Sequence, residues 1–177
     1  MHYFVIVFLQ SLFYSQQHPS MKICLLVVGK TNDALIEQLI DRYAARLRHY
    51  VPFDIEVIPE LKNTKAMTPD VQKVREGELI LKALTPADHV VLLDEGGKEW
   101  RSVEFATHLE RLQTATARRL VFVLGGPYGF SPDVYAAARE KLSLSRMTFS
   151  HQMVRLFFVE QCYRAMTILR GEPYHHE

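Results

Sequence analysis

The chain has 177 residues, 48% of them hydrophobic and 23% charged, and 21 Lys and Arg against 20 Asp and Glu give a formal net charge of +1. Such a length is most simply one domain, able to bury roughly two-thirds of its unfolded surface. The near-neutral charge excludes indiscriminate polyanion binding but leaves room for a selective RNA site. Cys24 and Cys162 have neither metal nor disulfide spacing and fit a reducing, cytoplasmic setting.

Residues 1–20 do not match the rest of the chain. They are apolar as far as Tyr14, but Gln10 and Ser11 interrupt them, and they fall short of the ~20 residues of a spanning helix. They also lack the basic residue and the small cleavage-site residues of a signal peptide. They read as an upstream extension outside the fold, with one domain over 21–177 and no membrane segment. Residues 23–28 form a buried-type strand closed by Gly29, and Thr31 or Asn32 caps the next helix. Leu35, Ile36, Leu39, Ile40, Tyr43 and Leu47 give that helix one apolar face. Arg42, Arg46, Arg48 and His49 lie towards its carboxyl end, where a solvated face explains them more simply than RNA contact. Pro52 ends the helix, and residues 53–58 alternate apolar with acidic side chains as a half-exposed edge strand does.

Residues 60–67 are polar and irregular. Thr68-Pro69-Asp70 is a cap, proline and acid signal that opens a helix through Val71, Val74, Leu81 and Leu84. Gly77 inside it costs about 1 kcal/mol relative to alanine, and nothing in the sequence accounts for it. Pro86 closes the helix, residues 89–93 form a third buried-type strand, and DEGGKEW reads as a Gly-Gly turn. Ser102 caps a helix carrying Val103, Phe105, Ala106, Leu109 and Leu112. The run LVFVL, 120–124, is apolar throughout, as a strand covered on both faces should be. It stops at Gly125-Gly126-Pro127, and Ser131-Pro132-Asp133 opens another helix. Residues 142–144 make a short strand leading into SRMTFS. Ser150 caps the last helix, which carries Val154, Phe157, Phe158, Cys162, Ala165 and Leu169 to about residue 169 and pairs Glu160 with Arg164. Gly171 and Pro173 stop it. The alternation of strands and helices is that of an α/β domain, a largely parallel sheet flanked by helices.

Three loops follow strands at 93–98, 125–130 and 144–150, and in a parallel sheet such loops open on one side. Bare glycine backbone beside Leu93, Leu144, Met147 and Phe149 suits a flat heteroaromatic such as adenine. The Gly-rich turn has neither Walker nor G-x-G-x-x-G spacing. There is no H-E-x-x-H, C-x-x-C or nucleophile elbow, so no metal is expected. His175-His176 reads as a solvated pair, and the adjacent Asp94 and Glu95 diverge.

LLDEGGKEWRSVEFA, FVLGGPYGFS, LSLSRMTFSHQMVR, EQCYRAMTILRGEPYH and the opening VVGK resemble the RlmH family of ribosomal RNA methyltransferases, of the SPOUT class, from Met21 to Glu177. The resemblance implies a SPOUT-type fold with a C-terminal trefoil knot and a homodimer. It implies S-adenosyl-L-methionine as methyl donor and, as substrate, the ring imide nitrogen (N3) of a pseudouridine in 23S rRNA, within the large subunit or the assembled ribosome. The donor-binding positions it implies are Leu93, Gly125, Leu144, Ser145, Arg146, Met147, Thr148 and Phe149. Those it places near the substrate, for positioning or proton transfer, are Arg155, Tyr163, Arg164, Tyr174 and His175. Ser150 departs from the family, which usually has proline there, and the segment before Met21 has no family counterpart. Two other readings stand beside this one: a nucleotide-binding module with no reaction, and a ribosome-associated protein using Arg155, Arg164 and Arg170 on phosphates. The breadth of the apolar face of the last helix, with Met153, Phe157, Phe158 and Met166, also points to a homodimer.

Overall fold

Residues that alternate along a strand point to opposite faces of a sheet, and the central strands here are apolar throughout residues 23–28, 90–93 and 120–124 because both faces are covered there. The computed structural model describes residues 21–114 and 119–175; the segment before Met21 and His176 lie outside them. The elements are β1 (Lys22–Val28), α1 (Ala34–Leu47), β2 (Phe53–Ile58), a single 3-10 turn, α2 (Pro69–Ala83), β3 (Asp88–Glu99), α3 (Ser102–Thr114), β4 (Arg119–Leu124), α4 (Pro132–Ala137), β5 (Glu140–Ser143) and α5 (His151–Leu169). The five strands are ordered β2-β1-β4-β3-β5, and every pair is parallel. The half-exposed β2 is an edge strand, as its alternation predicts.

Ile23, Leu25 and Val27 of β1 and Leu120, Phe122 and Leu124 of β4 pack on one side with Ile40, Ala44 and Leu47 of α1, Phe105 and Leu109 of α3, and Phe158 and Cys162 of α5. Cys24, Leu26, Val121 and Val123 face the other side, against Ile80 of α2 and Phe130 and Val134 at α4. The result is a three-layer α/β/α arrangement. Phe122 sits at the middle of the first core, 4.6 Å from the Phe158 ring and 6.4 Å from Phe105.

Several local expectations are corrected. Asp33, not Thr31 or Asn32, caps α1, accepting from the amides of Leu35 and Ile36. The apolar stripe of α1 is split: Leu35 and Leu39 are exposed while Ile40 and Leu47 are buried. On α2, Val71 and Val74 face solvent, and the buried positions are Gln72, Glu76, Gly77 and Ile80. Gly77 now has an explanation: a Cβ there would overlap Ser131 Oγ and approach Val134 to 3.3 Å, so the glycine lets α2 lie against α4. Ser131 is spent on that contact and makes no side-chain cap. Arg101 O accepts the Phe105 amide at the start of α3, and Ser102 Oγ bonds Gln161 instead of capping. Phe158 and Met166 belong to the core, so only Phe157 and Met153 of the four apolar residues singled out on the last helix remain partly open.

The largest departure is β3. The predicted turn is a bulge within a longer strand: Leu93 and Lys98 both pair with Leu142, and residues 94–97 loop out between them. Gly97 is required there because a Cβ would lie 2.6 Å from the Leu142 carbonyl carbon. Register counting along a sequence cannot see a bulge that depends on the partner strand.

Candidate functional site

The strands β4, β3 and β5 are neighbours in the sheet, so the loops leaving their carboxyl ends meet. They enclose a cavity of about 580 Å³, within the usual range for small-molecule sites. Leu93, Gly125, Leu144, Ser145, Arg146, Met147, Thr148 and Phe149 all line it, with Asp94, Gly126, Tyr135, His151 and Val154. One side is bare backbone and polar groups. The other is an apolar wall from Leu93, Leu124, Leu142 and Leu144.

Each loop has its own support. Ser145 folds the segment after β5: its Oγ accepts the Met147 amide at 2.9 Å, and its carbonyl accepts Ser143 Oγ at 3.1 Å. Arg146 reaches Glu99 at 3.1 Å and ties the rim to β3. In the bulge, Asp94 accepts the Gly96 amide at 2.8 Å and the Tyr135 hydroxyl at 2.6 Å. Burial and that bond push the Tyr135 phenol up to about 12, so it stays a donor. Beneath the Gly-Gly turn, Gly125 makes room for the Phe130 ring, which a Cβ would meet at 2.9 Å. Gly126 makes room for the Glu76 carboxylate, which a Cβ would overlap. These glycines open the turn by letting it sit flat on what lies beneath.

The five positions that the family resemblance places near a substrate separate into two places. Arg155 is buried in the first half of α5, where its Nη2 donates to Val28 O at 2.8 Å and its Nη1 to Thr31 Oγ1 at 3.1 Å, bracing the end of β1. Tyr163, Arg164, Tyr174 and His175 gather at the other end of the helix. Arg164 bonds Glu160 through Nε (3.1 Å) and Nη2 (2.6 Å), and its guanidinium carbon lies 4.7 Å from the Tyr174 ring centroid. The Tyr174 hydroxyl donates to Glu160 Oε1 at 3.0 Å and lies 3.3 Å from the Tyr43 hydroxyl. Tyr163 meets the Tyr174 ring edge-on at 4.8 Å, and Arg164 Nη1 is 3.5 Å from His175 Nδ1. Gly171, at φ +66°, turns the chain off the helix. Glu172 then accepts the Tyr50 hydroxyl at 2.5 Å, so this end is docked and not frayed. Burial, then the bonds to Tyr43 and Glu160, raise the Tyr174 pKa far enough to keep the phenol protonated near neutrality.

Sequence reasoning missed His151, which lines the cavity; partial burial and then the charge of Arg155 lower its pKa, so its imidazole is neutral at pH 7. It also missed Glu76, Tyr43 and Tyr50, whose roles depend on contacts between distant segments. Among the described residues no helix is long and apolar enough to cross a membrane, and no cluster of three His, Cys, Asp or Glu side chains could hold a metal.

Residues 21–175 match a family model described as predicted SPOUT methyltransferase. Proteins named ribosomal RNA large subunit methyltransferase H from Phocaeicola vulgatus and Parabacteroides distasonis are 62% and 60% identical to the chain over 157 residues. The one from Flavobacterium psychrophilum is 53% identical. Each alignment covers 89% of this chain and 100% of the relative. A probable methyltransferase from Bordetella pertussis Tohama I has a similar fold, with a TM-score of 0.51 at 12% identity over 82% of this chain and 95% of that one.

Proposed function

The chain belongs to the predicted SPOUT methyltransferase family, and from that premise we propose that it is an S-adenosyl-L-methionine-dependent methyltransferase of large-subunit ribosomal RNA. Its target on this reading is the N3 imide nitrogen of a pseudouridine in 23S rRNA, in the cytoplasm. The observation that carries the proposal is the cavity formed where three strand-end loops converge. A Gly-Gly turn, polar rim groups and apolar walls suit an adenosine with a short polar chain, and the names of the relatives supply the substrate class.

When bound, S-adenosyl-L-methionine supplies a methyl group made electrophilic by its sulfonium. The protein's task is then geometric: hold the donor, present the base, and let the imide proton leave. Leu93, Leu144 and Phe149 exclude water around the donor, and the Ser145-braced loop fixes its rim. Tyr174 stays protonated with its hydroxyl donated to Glu160, so its part is to stack on the base. His175 is the proposed proton acceptor, because an imidazole is the side chain suited to exchanging protons near neutrality. Positioning can contribute roughly 7–11 kcal/mol, against about 3–5 kcal/mol for a general base at 10²–10⁴-fold.

The same geometry supports reading the protein as a homodimer. Val154 lines the cavity and Arg164 belongs to the tail cluster, and at 1.5 Å per residue they stand about 15 Å apart along α5. One chain therefore holds its donor cavity and its substrate-side tail at separate ends. On this reading a two-fold partner would bring one chain's tail to the other's cavity.

Calorimetry with S-adenosyl-L-methionine and with ATP tests the cavity. We expect micromolar binding of the first and none of the second. Leu144→Arg, which puts a bulky cation into the apolar wall, should weaken donor binding at least tenfold, about 1.4 kcal/mol, in a folded protein. Equal affinity in the two proteins would remove this cavity from the reaction.

A further inference from the structure

Beside the docked tail, along the seam between α1 and the carboxyl end of α5, arginines and tyrosines interleave. The Arg46 guanidinium carbon lies 5.6 Å from the Tyr43 ring centroid and 5.8 Å from that of Tyr163. Arg170 stands 5.8 Å from the Tyr50 centroid. The rings touch in turn: Tyr43 and Tyr50 each lie 5.9 Å from Tyr163. Acids are present too, but they are engaged. Glu160 is held by Arg164 and Tyr174, and Glu172 accepts from Tyr50. Arg46 and Arg170 are exposed and, among the described residues, have no carboxylate within ion-pair distance.

A guanidinium laid on an aromatic face is held in place while its N–H groups remain available, so it loses less freedom on meeting a phosphate than a free side chain does. Rings interleaved with arginine are the usual means of holding unstacked RNA. A chain of net charge +1 gains little from bulk attraction, so any grip on a polyanion must be local.

We propose that the patch around Arg46 of α1 and Arg170 at the end of α5 is an RNA-binding surface that holds the phosphate backbone beside the base presented to the tail cluster. The partner is a loop or single-stranded RNA segment. The surface adds two phosphate contacts to the site described above and rests on the methyltransferase reading only in naming the ribosomal large subunit as the RNA's carrier.

The test uses full-length protein and the variants Arg46→Gln, Arg170→Gln and both together. Binding to purified large subunits is measured by co-sedimentation across a potassium chloride series, with methyl transfer, donor calorimetry and sedimentation mass in parallel. We expect each substitution to weaken subunit binding and raise the KM for subunits about five- to tenfold. The slope of log affinity against log salt should fall by roughly 0.7–0.9 per arginine removed. Donor affinity, kcat and mass should not change, and Arg46→Lys should recover only part of the loss. Unchanged subunit binding and salt slope in the double variant would overturn the proposal. So would a fall in mass to one chain, which would make this face a contact between copies. Because subunit binding is read separately, a wild-type protein that binds subunits through these arginines but transfers no methyl group would overturn only the methyltransferase reading.

Discussion

Glu76 is the residue whose environment is most at odds with its type. It is 4% exposed, Gln72 donates to its Oε1 at 2.8 Å, and Oε2 has no hydrogen-bond partner among the described residues. Burial raises its pKa, the Gln72 bond opposes the rise, and the charge of Glu60 adds to it. A carboxyl whose folded-state pKa exceeds its unfolded value contributes full stability below the unfolded pKa of about 4.3 and loses it as pH rises through the folded one. As pH rises above that unfolded value the wild type should therefore lose stability relative to Glu76→Gln, so the Tm difference between the two should move in favour of the variant. Parallel curves for the two proteins would show that the carboxylate is not what titrates. Gly77 offers a second test at this scale. Glycine to alanine within a helix ordinarily stabilises by about 1 kcal/mol, but here the new Cβ overlaps Ser131 Oγ. Gly77→Ala should instead destabilise by about 1–3 kcal/mol in denaturant unfolding, and Ser131→Ala in the same chain should recover part of the loss. A stabilised single variant would contradict the close approach of α2 and α4.

Elements were legible where their signal is local. The β-branched and aromatic runs of β1, β3 and β4 marked covered strands, and Pro69 and Pro132 marked helix starts. What depended on a partner was not legible. Cap residues changed because Thr31 is used by Arg155 and Ser102 by Gln161. The start of the buried face of α2 was misread because it depends on distant contacts: Glu76 lies against Gly126 and Gly77 against Ser131, so the face runs through Gln72, Glu76, Gly77 and Ile80 and leaves Val71 and Val74 in solvent. The strand β3 was cut short because its continuation exists only through pairing with Leu142. The tail was the opposite case, since its turn was visible at Gly171 and Pro173 but its anchoring to Tyr43, Tyr50 and Glu160 was not. Ending the chain after Arg170 should leave folding and donor binding intact and lower methyl transfer by at least two orders of magnitude, on the sizes of the positioning and base terms. His175→Ala should lose less and change the shape of the pH–rate profile. Full activity in the truncated protein would return the tail to the expendable chain end that position alone suggests.

For the whole molecule, the strand order β2-β1-β4-β3-β5 makes three loops far apart in sequence into one cavity, and the length of α5 keeps that cavity away from the tail. Local pattern predicted the loops. Only the strand order and the helix axis say which groups can meet within one chain. A shared site requires two copies, and sedimentation at micromolar concentration should give the mass of a pair; the mass of one chain would count against it. The most direct test is to mix Leu144→Arg with an intact tail and the truncated chain with an intact cavity, at a donor concentration that loads the truncated chain but not Leu144→Arg, allow the pairs to exchange, and measure transfer of labelled methyl groups to large subunits. If one chain's tail serves the other's cavity, half the pairs are mixed and each has one complete site, so about a quarter of wild-type activity should return. No recovery on mixing, from partners shown to exchange, would contradict the shared site.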